Sequence, residues 1–338
     1  MDLPGGIEMK VLMSYTSLPH TTAIYLEKAM RAHCEVLTCG PTADEFCLSR
    51  WNLLDLLPKV HPHDIPFFSH PYMELVSALP SGYRPDFCLF VETGIHYPLA
   101  FLELFSCPKA CYLIDTHLHK EAHLALSRSF DVIFLAQKAY VEEFSQRLER
   151  PVFWLPLAAD PEIHKPCFSE ESFDIGFCGS ITNPLQMRSR RLKRLALRFD
   201  VRFKRVFLEE MSQFLGGARI LFNDAVADDL NMRVFESLAM GKPLLTPEVP
   251  GLADLFSLTG KDAEVCVYTD ESLVHQARLL LETYQESLKM AARGRAKVLT
   301  AHTYHHRAKT ILSVMEDLSR ESSGIFSGGK RHGSYSDL

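Results

Sequence analysis

Two carboxylates eight positions apart, Asp228 and Glu236, lie inside the stretch ARILFNDAVADDLNMRVFESLAMGKPLLTPEVPG at residues 218–251. The stretch reads as a strand (Ala218 to Phe222), a polar loop (Asn223 to Asp229), a helix from about Asn231 to Met240 stopped by Gly241, and a second strand (Pro243 to Thr246). In such a β-loop-α-β unit ligands bind outside the carboxyl ends of the strands, beside a helix N-terminus. Asp228 is expected at that helix start, where unpaired N–H groups and the positive dipole end suit a diphosphate. Glu236 falls about two turns further in, followed by the small residues Ser237, Ala239 and Gly241, which permit close approach. A carboxylate there can accept two hydrogen bonds from a vicinal diol such as the 2′- and 3′-hydroxyls of a ribose. Its replacement by alanine is expected to leave the fold intact. The plain alternative is a capping aspartate and an ordinary helix glutamate.

A second cluster follows another predicted strand: Asp115-Thr-His117-Leu-His119-Lys-Glu121-Ala-His123. Imidazoles and carboxylates this dense can ligate zinc, and His119 and His123 stand one turn apart, so a metal-dependent hydrolase is a rival reading. The carboxylate offset is wrong for the H-x-H-x-D-H hydrolase signature, and no second H-x-x-x-H pair completes it. No metal is therefore assigned, and the run reads as a polar helix start with one or two histidines facing a cleft. His20 opens the first helix, and its pKa class suits proton removal from a hydroxyl; a helix-capping role is the alternative. Gly179 and Ser180 end a strand and precede a basic helix bearing Arg188, Arg190, Arg191, Lys193 and Arg194. Small residues before a basic helix suit a diphosphate, with Arg188 first and Arg233, on the central helix, second; the alternative is a solvated basic face.

Elements that alternate strand and helix position these residues. Apolar runs at Lys10 to Ser14, Glu35 to Thr38, Phe87 to Glu92, Ala110 to Ile114, Val132 to Leu135 and Val152 to Leu155 read as strands, the first followed by a helix from about Thr21 to His33. Residues 40 to 70 read as loop with one short helix. The proline-bearing segment 156–172 reads as a linker. The alternation restarts at Phe173 to Cys178 and runs on to Val265 to Tyr268, with amphipathic helices over 270–300 and 303–320. Such alternation predicts doubly wound α/β architecture, and a tail beginning at Glu321 reads as disordered.

At 338 residues the chain suits two domains. Its 47% hydrophobic and 23% charged residues are those of a globular protein, and a net charge of −6 argues against a nucleic-acid footprint. No apolar run approaches the ~20 residues of a membrane span, and MDLPGGIEMK lacks the marks of a signal peptide. Nine scattered cysteines, mostly in apolar runs, fit reduced thiols in a cytoplasm. Cys107 and Cys111 are poorly spaced for zinc.

The D-x7-E spacing followed by SLAMGKPLLTPEVPG resembles the C-terminal donor-binding motif of retaining GT-B glycosyltransferases, the E-x7-E pattern of glycosyltransferase family 4 (glycosyl transferases group 1). NDAVADDLNMRVFE is similar to the CgeB-like (spore maturation protein) branch, and FDIGFCGS, LPLAADPEIHKP and AHTYHHR extend the resemblance over most of residues 110–318. Asp228 stands where the pattern has a glutamate one methylene longer. Arg188 and Lys193 keep the family's R-x4-K spacing but share one helix. The resemblance implies a GT-B fold of two facing Rossmann-like domains: an acceptor-side domain at 1–156, a linker at 157–172, a nucleotide-sugar domain at 173–302, a helix at 303–320 crossing back, and the tail at 321–338. It implies sugar transfer from a nucleotide-diphosphate sugar to an unidentified acceptor, retaining and without metal or other cofactor. Glu236 would hold the ribose and Asp228 the donor sugar. The backbone at Asp229, Asn231 and Met232, with Gly179, Ser180, Arg188 and Arg233, would hold the diphosphate. His117 or His119 takes the place of a donor-contacting histidine, and His20 that of the general base in inverting relatives. A GT-B-shaped protein that binds a nucleotide or partner without turnover is the second expectation.

Overall fold

The computed structural model describes residues 9–67, 70–167, 170–181 and 186–322. Continuous apolar runs form strands covered on both faces, as parallel sheets require. The first half alternates β1 (Lys10–Ser14), α1 (Thr22–Met30), β2 (Glu35–Pro41), α2 (Glu45–Arg50), β3 (Ile65–Phe67), α3 (Pro71–Ala78), β4 (Phe87–Val91), β5 (Lys109–Leu113), α4 (Thr116–Ser127), β6 (Val132–Leu135), α5 (Val141–Leu148) and β7 (Val152–Trp154). All seven strands are parallel, in the order β3-β2-β1-β4-β5-β6-β7. Leu12 at the centre pairs with Leu37 on one side and Cys88 on the other.

Residues 40–67 contain the expected short helix, and also a turn and a strand that were not expected. They hold α2, a 3-10 turn over Leu54–Lys59 and the edge strand β3. β3 has only three residues, Ile-Pro-Phe, and a proline at its centre. An edge position tolerates that missing donor, and three residues are too few to show a periodicity.

The second half alternates β8 (Phe173–Cys178), α6 (Met187–Ala196), β9 (Val201–Lys204), α7 (Leu208–Gly216), β10 (Ala218–Phe222), α8 (Met232–Ala239), β11 (Leu244–Pro247), α9 (Leu252–Leu255), β12 (Cys266–Tyr268), α10 (Leu273–Glu282) and α11 (Tyr284–Ala301). Its parallel sheet runs β12-β11-β10-β8-β9. Strand order therefore reverses between β1 and β4 in one sheet and between β8 and β10 in the other. Those two switch points are where crevices open at the carboxyl ends of such sheets. Gly241 ends α8 at φ +71, a conformation that a side chain resists.

The last helix, α12 (Tyr304–Ser322), leaves the second sheet and packs on α1 of the first. Tyr304 stacks on Tyr25 at 5.3 Å between ring centroids, and both are buried. The two chain crossings lie side by side. Ala159 N–H donates to the His302 carbonyl at 3.1 Å, and Tyr304 N–H donates to the Ala159 carbonyl at 3.2 Å. Arg307, from the first turn of α12, donates to the Pro156 and Leu157 carbonyls at 2.6 and 3.0 Å. Burial lowers its pKa to about 10, which still leaves it charged at neutral pH. Of the expected disordered tail at 321–338, Glu321 and Ser322 complete α12 and the rest lies outside the described residues. Among the described residues no helix is long and apolar enough to cross a membrane.

Candidate functional site

The loops that leave the central strands of both sheets face each other. β10 gives way to the loop 223–231, in which Ala227 and Asp228 both adopt positive φ, +50 and +56. Two successive left-handed residues turn the chain so that Asp228 points outward and is exposed, while Asp229 turns inward and is buried. The helix begins later than expected. Asn231 is its N-cap and Met232 its first residue, so Asp228 precedes the cap by three positions. The carboxylate in the crevice is thus Asp229.

Asp229 is met by the first domain. Gln137 Nε2, just past β6, donates to its Oδ1 at 2.9 Å, and Gln137 Oε1 accepts from Thr116 N–H at 3.1 Å. His117 Nδ1 stands 3.9 Å from the same oxygen, is buried, and has no hydrogen-bond partner. Asp115, at φ +55 beyond β5, completes a trio whose ligand atoms all lie within 4.8 Å of one another. Burial raises the pKa of both Asp115 and Asp229, partly offset at Asp115 by the two nearby imidazoles and at Asp229 by the Gln137 hydrogen bond. His119 lies on the exposed side of a kink in α4, and His123 turns inward to Thr116 Oγ1 at 3.1 Å. The histidine trio 117, 119 and 123 does not converge. Among the described residues, the one group of three placed to hold a cation is Asp115, His117 and Asp229.

Glu236 sits deeper, on the buried face of α8. Its Oε1 lies 3.2 Å from His164 Nε2 and its Oε2 2.7 Å from the guanidinium of Arg233. Burial pushes this carboxyl up, and Arg233 and His164 more than reverse the push, holding it at about 2. Arg233 is largely covered, keeping 18% of its side-chain surface. Removing Glu236 would leave a largely covered cation and the buried His164 without their carboxylate, which argues against the expectation that an alanine here spares the fold. Met232 opens α8 against the first domain, with the Tyr304 hydroxyl donating to its sulfur at 3.0 Å. Asn231 Oδ1 is buried without a partner.

At the end of β8, Gly179 N–H donates to the Lys204 carbonyl at 3.0 Å, and any Cβ there would meet the Phe177 ring at 2.8 Å. Ser180 Oγ accepts from Arg205 Nε at 3.1 Å. Arg188, the first-choice cation, donates to Asp224 Oδ2 at 3.3 Å and to the Ser180 carbonyl at 3.1 Å, and Asp224 is shared with Arg191. Arg205 was not singled out in the sequence, although it lies one residue beyond a strand end. It also donates to the Asn52 carbonyl of the first domain at 2.9 Å. His20 lies tilted against the Phe207 ring at 4.4 Å between centroids, with Nδ1 buried and unpartnered. Burial and then Arg205 lower its pKa to about 4, so it is neutral and a weak base at neutral pH.

Residues 189–313 match a family described as glycosyl transferase-like (Glyco_trans_1_2). No curated protein matches the chain. Anabaena HepE in complex with UDP and glucose has 14% sequence identity and a TM-score of 0.64, covering 91% of this chain and 100% of its own. The sucrose-phosphate synthase of Thermosynechococcus elongatus gives 12%, 0.58, 94% and 100% in the same order. An E. coli trehalose-6-phosphate protein bound with UDP-2-fluoro glucose gives 10%, 0.60, 91% and 99%. The fold is that of GT-B glycosyltransferases, two parallel sheets with their switch points opposed, and its second half carries a glycosyl transferase-like region.

Proposed function

We propose that this protein transfers a hexosyl group from a nucleoside-diphosphate sugar, UDP-sugar first, to a hydroxyl acceptor, with retention and without a metal ion, in a reducing cytoplasm. The observation that supports this most is the meeting of Asp229 and His117, 3.9 Å apart, brought from opposite domains to the carboxyl ends of both sheets. A donor sugar set beside the pair finds a carboxylate acceptor and an imidazole for its hydroxyls. Asp229, rather than the exposed Asp228, takes the sugar-binding role. Glu236 takes the ribose by exchanging His164 for the diol. Arg205, beside the small residues Gly179 and Ser180, takes the diphosphate, so that a fixed cation stabilises charge on the leaving group. His20, neutral at working pH, orients rather than abstracts. None of the nine cysteines is in a disulfide, in keeping with a reducing compartment.

A second reading has its own support. Glu236 is already paired with Arg233 and His164, and Arg188 with Asp224, as in a protein that binds a nucleotide without turnover. A thermal-shift screen of UDP, GDP, ADP and TDP tests binding, since a ligand at 100 times its Kd stabilises by ~2.7 kcal/mol. Release of UDP from UDP-glucose, with and without chelator, then tests turnover and metal independence. A shift without release favours the second reading. Stoichiometric zinc or manganese at Asp115, His117 and Asp229, with activity lost to the chelator, ends the metal-free one.

A further inference from the structure

A pocket of about 540 Å³ opens in the first domain, with neither Asp229 nor Glu236 in its lining. Thr16, Pro41, Thr42, Phe67 and Ile95 come from the carboxyl ends of the strands β1 to β4 or the loops just beyond, and α2 and its exit add Phe46 and Trp51. Phe46 is 71% exposed and Trp51 40%, an unusual share of bare aromatic surface for two residues on one short element. The volume is that of a small-molecule site, and such sites are mostly apolar with a few polar groups.

Those polar groups are few and largely occupied. Thr16 Oγ1 donates to the Ile95 carbonyl at 3.4 Å, and Asp44 Oδ1 accepts from Cys47 N–H at 2.7 Å as the cap of α2. Arg50 lies over the Phe46 ring at 5.9 Å. Thr42 Oγ1 is the exception, having no partner. A glycan end would need many hydroxyl partners, and an acidic acceptor an excess of cations. Neither is here. Trp51 is also the wall shared with a second pocket of about 490 Å³, lined across the crevice by Gly179, Ser180 and Arg205.

We propose that this pocket is the acceptor subsite and that it takes a flat, apolar molecule carrying a hydroxyl, such as a phenol, stacked on Phe46 and Trp51. The proposal rests on the transferase reading. In the transfer, the acceptor oxygen bonds to the sugar's anomeric carbon as the bond to the diphosphate breaks, and the hydroxyl proton leaves with the diphosphate.

The test is calorimetric titration of the full chain with 2-naphthol and with maltotriose, beside a thermal shift with UDP. Saturable naphthol binding is expected, weakened about tenfold or more in Phe46→Ala and in Trp51→Leu, and kept in Phe46→Tyr. Phe46→Ala is expected to keep its UDP shift, which shows that it folds. Absent naphthol binding, binding that is unchanged in both variants, or binding of maltotriose in its place overturns the proposal. The transferase reading fails separately, by loss of the UDP shift and of UDP release in the wild type, whatever naphthol does.

Discussion

Two charge clusters built on carboxylates of the second domain invite comparison. One is Glu236 with Arg233 and His164, and the other is Asp224 with Arg188 and Arg191. Both centre on an almost fully buried carboxylate. In the first one partner, the His164 imidazole, is fully buried while Arg233 keeps 18% of its side-chain surface, and Tyr25 of the opposite domain feels the charge. In the second both partners are arginines that keep 17–18% of their surface, Arg191 leads on to the 35% exposed Asp270, and Asp224 gains a further donor from the Tyr268 hydroxyl at 3.2 Å. A pair without water depends on its geometry, whereas a pair at the rim can be re-solvated. The buried cluster should therefore carry both stability and ligand choice, and the rim cluster should mostly shape its own loop.

The largest effect expected is from Glu236→Ala, a loss of about 3–5 kcal/mol in denaturant unfolding, because the cation of Arg233 is left unpaired. Asp224→Ala should cost less, about 1–3 kcal/mol. Equal losses would break the comparison. Glu236→Gln, which keeps the shape, separates fold from ligand: UDP binding should weaken by about 1.5–3 kcal/mol in titration calorimetry. Unchanged affinity would remove the ribose role. Arg205→Ala should raise the Kd for UDP about tenfold, or ~1.4 kcal/mol, and leave uridine unaffected. An equal loss for both ligands would place Arg205 away from the diphosphate.

The smallest and broadest effect is on pH. Burial holds His20, His63 and His123 at about 4 and His302 at about 3, all below the usual 6.5. The unfolded chain gains protons below about 6.5 that the folded chain refuses, so stability is fullest above that pH and falls as pH drops toward 4. Glu92, raised by burial to about 7, acts the other way: its contribution is present below 4.5 and lost as pH rises through 7. Asp115 and Asp229 share its sign. His33 and His306 share the sign of the other histidines, so the balance stays with the imidazoles. A unfolding midpoint that rises on acidification from pH 7 to 4.5 would refute this.

The strands were legible because buried parallel strands are short apolar runs, and Val132–Leu135 matches its sequence reading residue for residue. The stop of α8 was legible from Gly241. What stayed hidden depends on dihedral angles and on distant chain. Asp228 and Asp229 are chemically identical, and only the two left-handed residues at 227 and 228 decide which one faces the crevice. The partner of Glu236 at 164 lies in the segment between the domains, and no local pattern joins them. Arg205 stood in plain view at a strand end, but without a motif to mark it.

The return of α12 to α1 has a consequence for how the protein is made. Tyr25 and Met30 on α1 are buried in the finished molecule, and Tyr304, Ala308, Ile311 and Met315 are buried on α12. The first domain therefore cannot be completed when its own strands have left the ribosome. At ~5–20 residues per second, roughly a quarter of a minute to a minute passes between synthesis of α1 and of its cover. During that interval α1 keeps an apolar stripe toward solvent, available to a chaperone or to a neighbouring nascent chain. The second domain, though later in sequence, has its whole sheet in hand before the first is sealed.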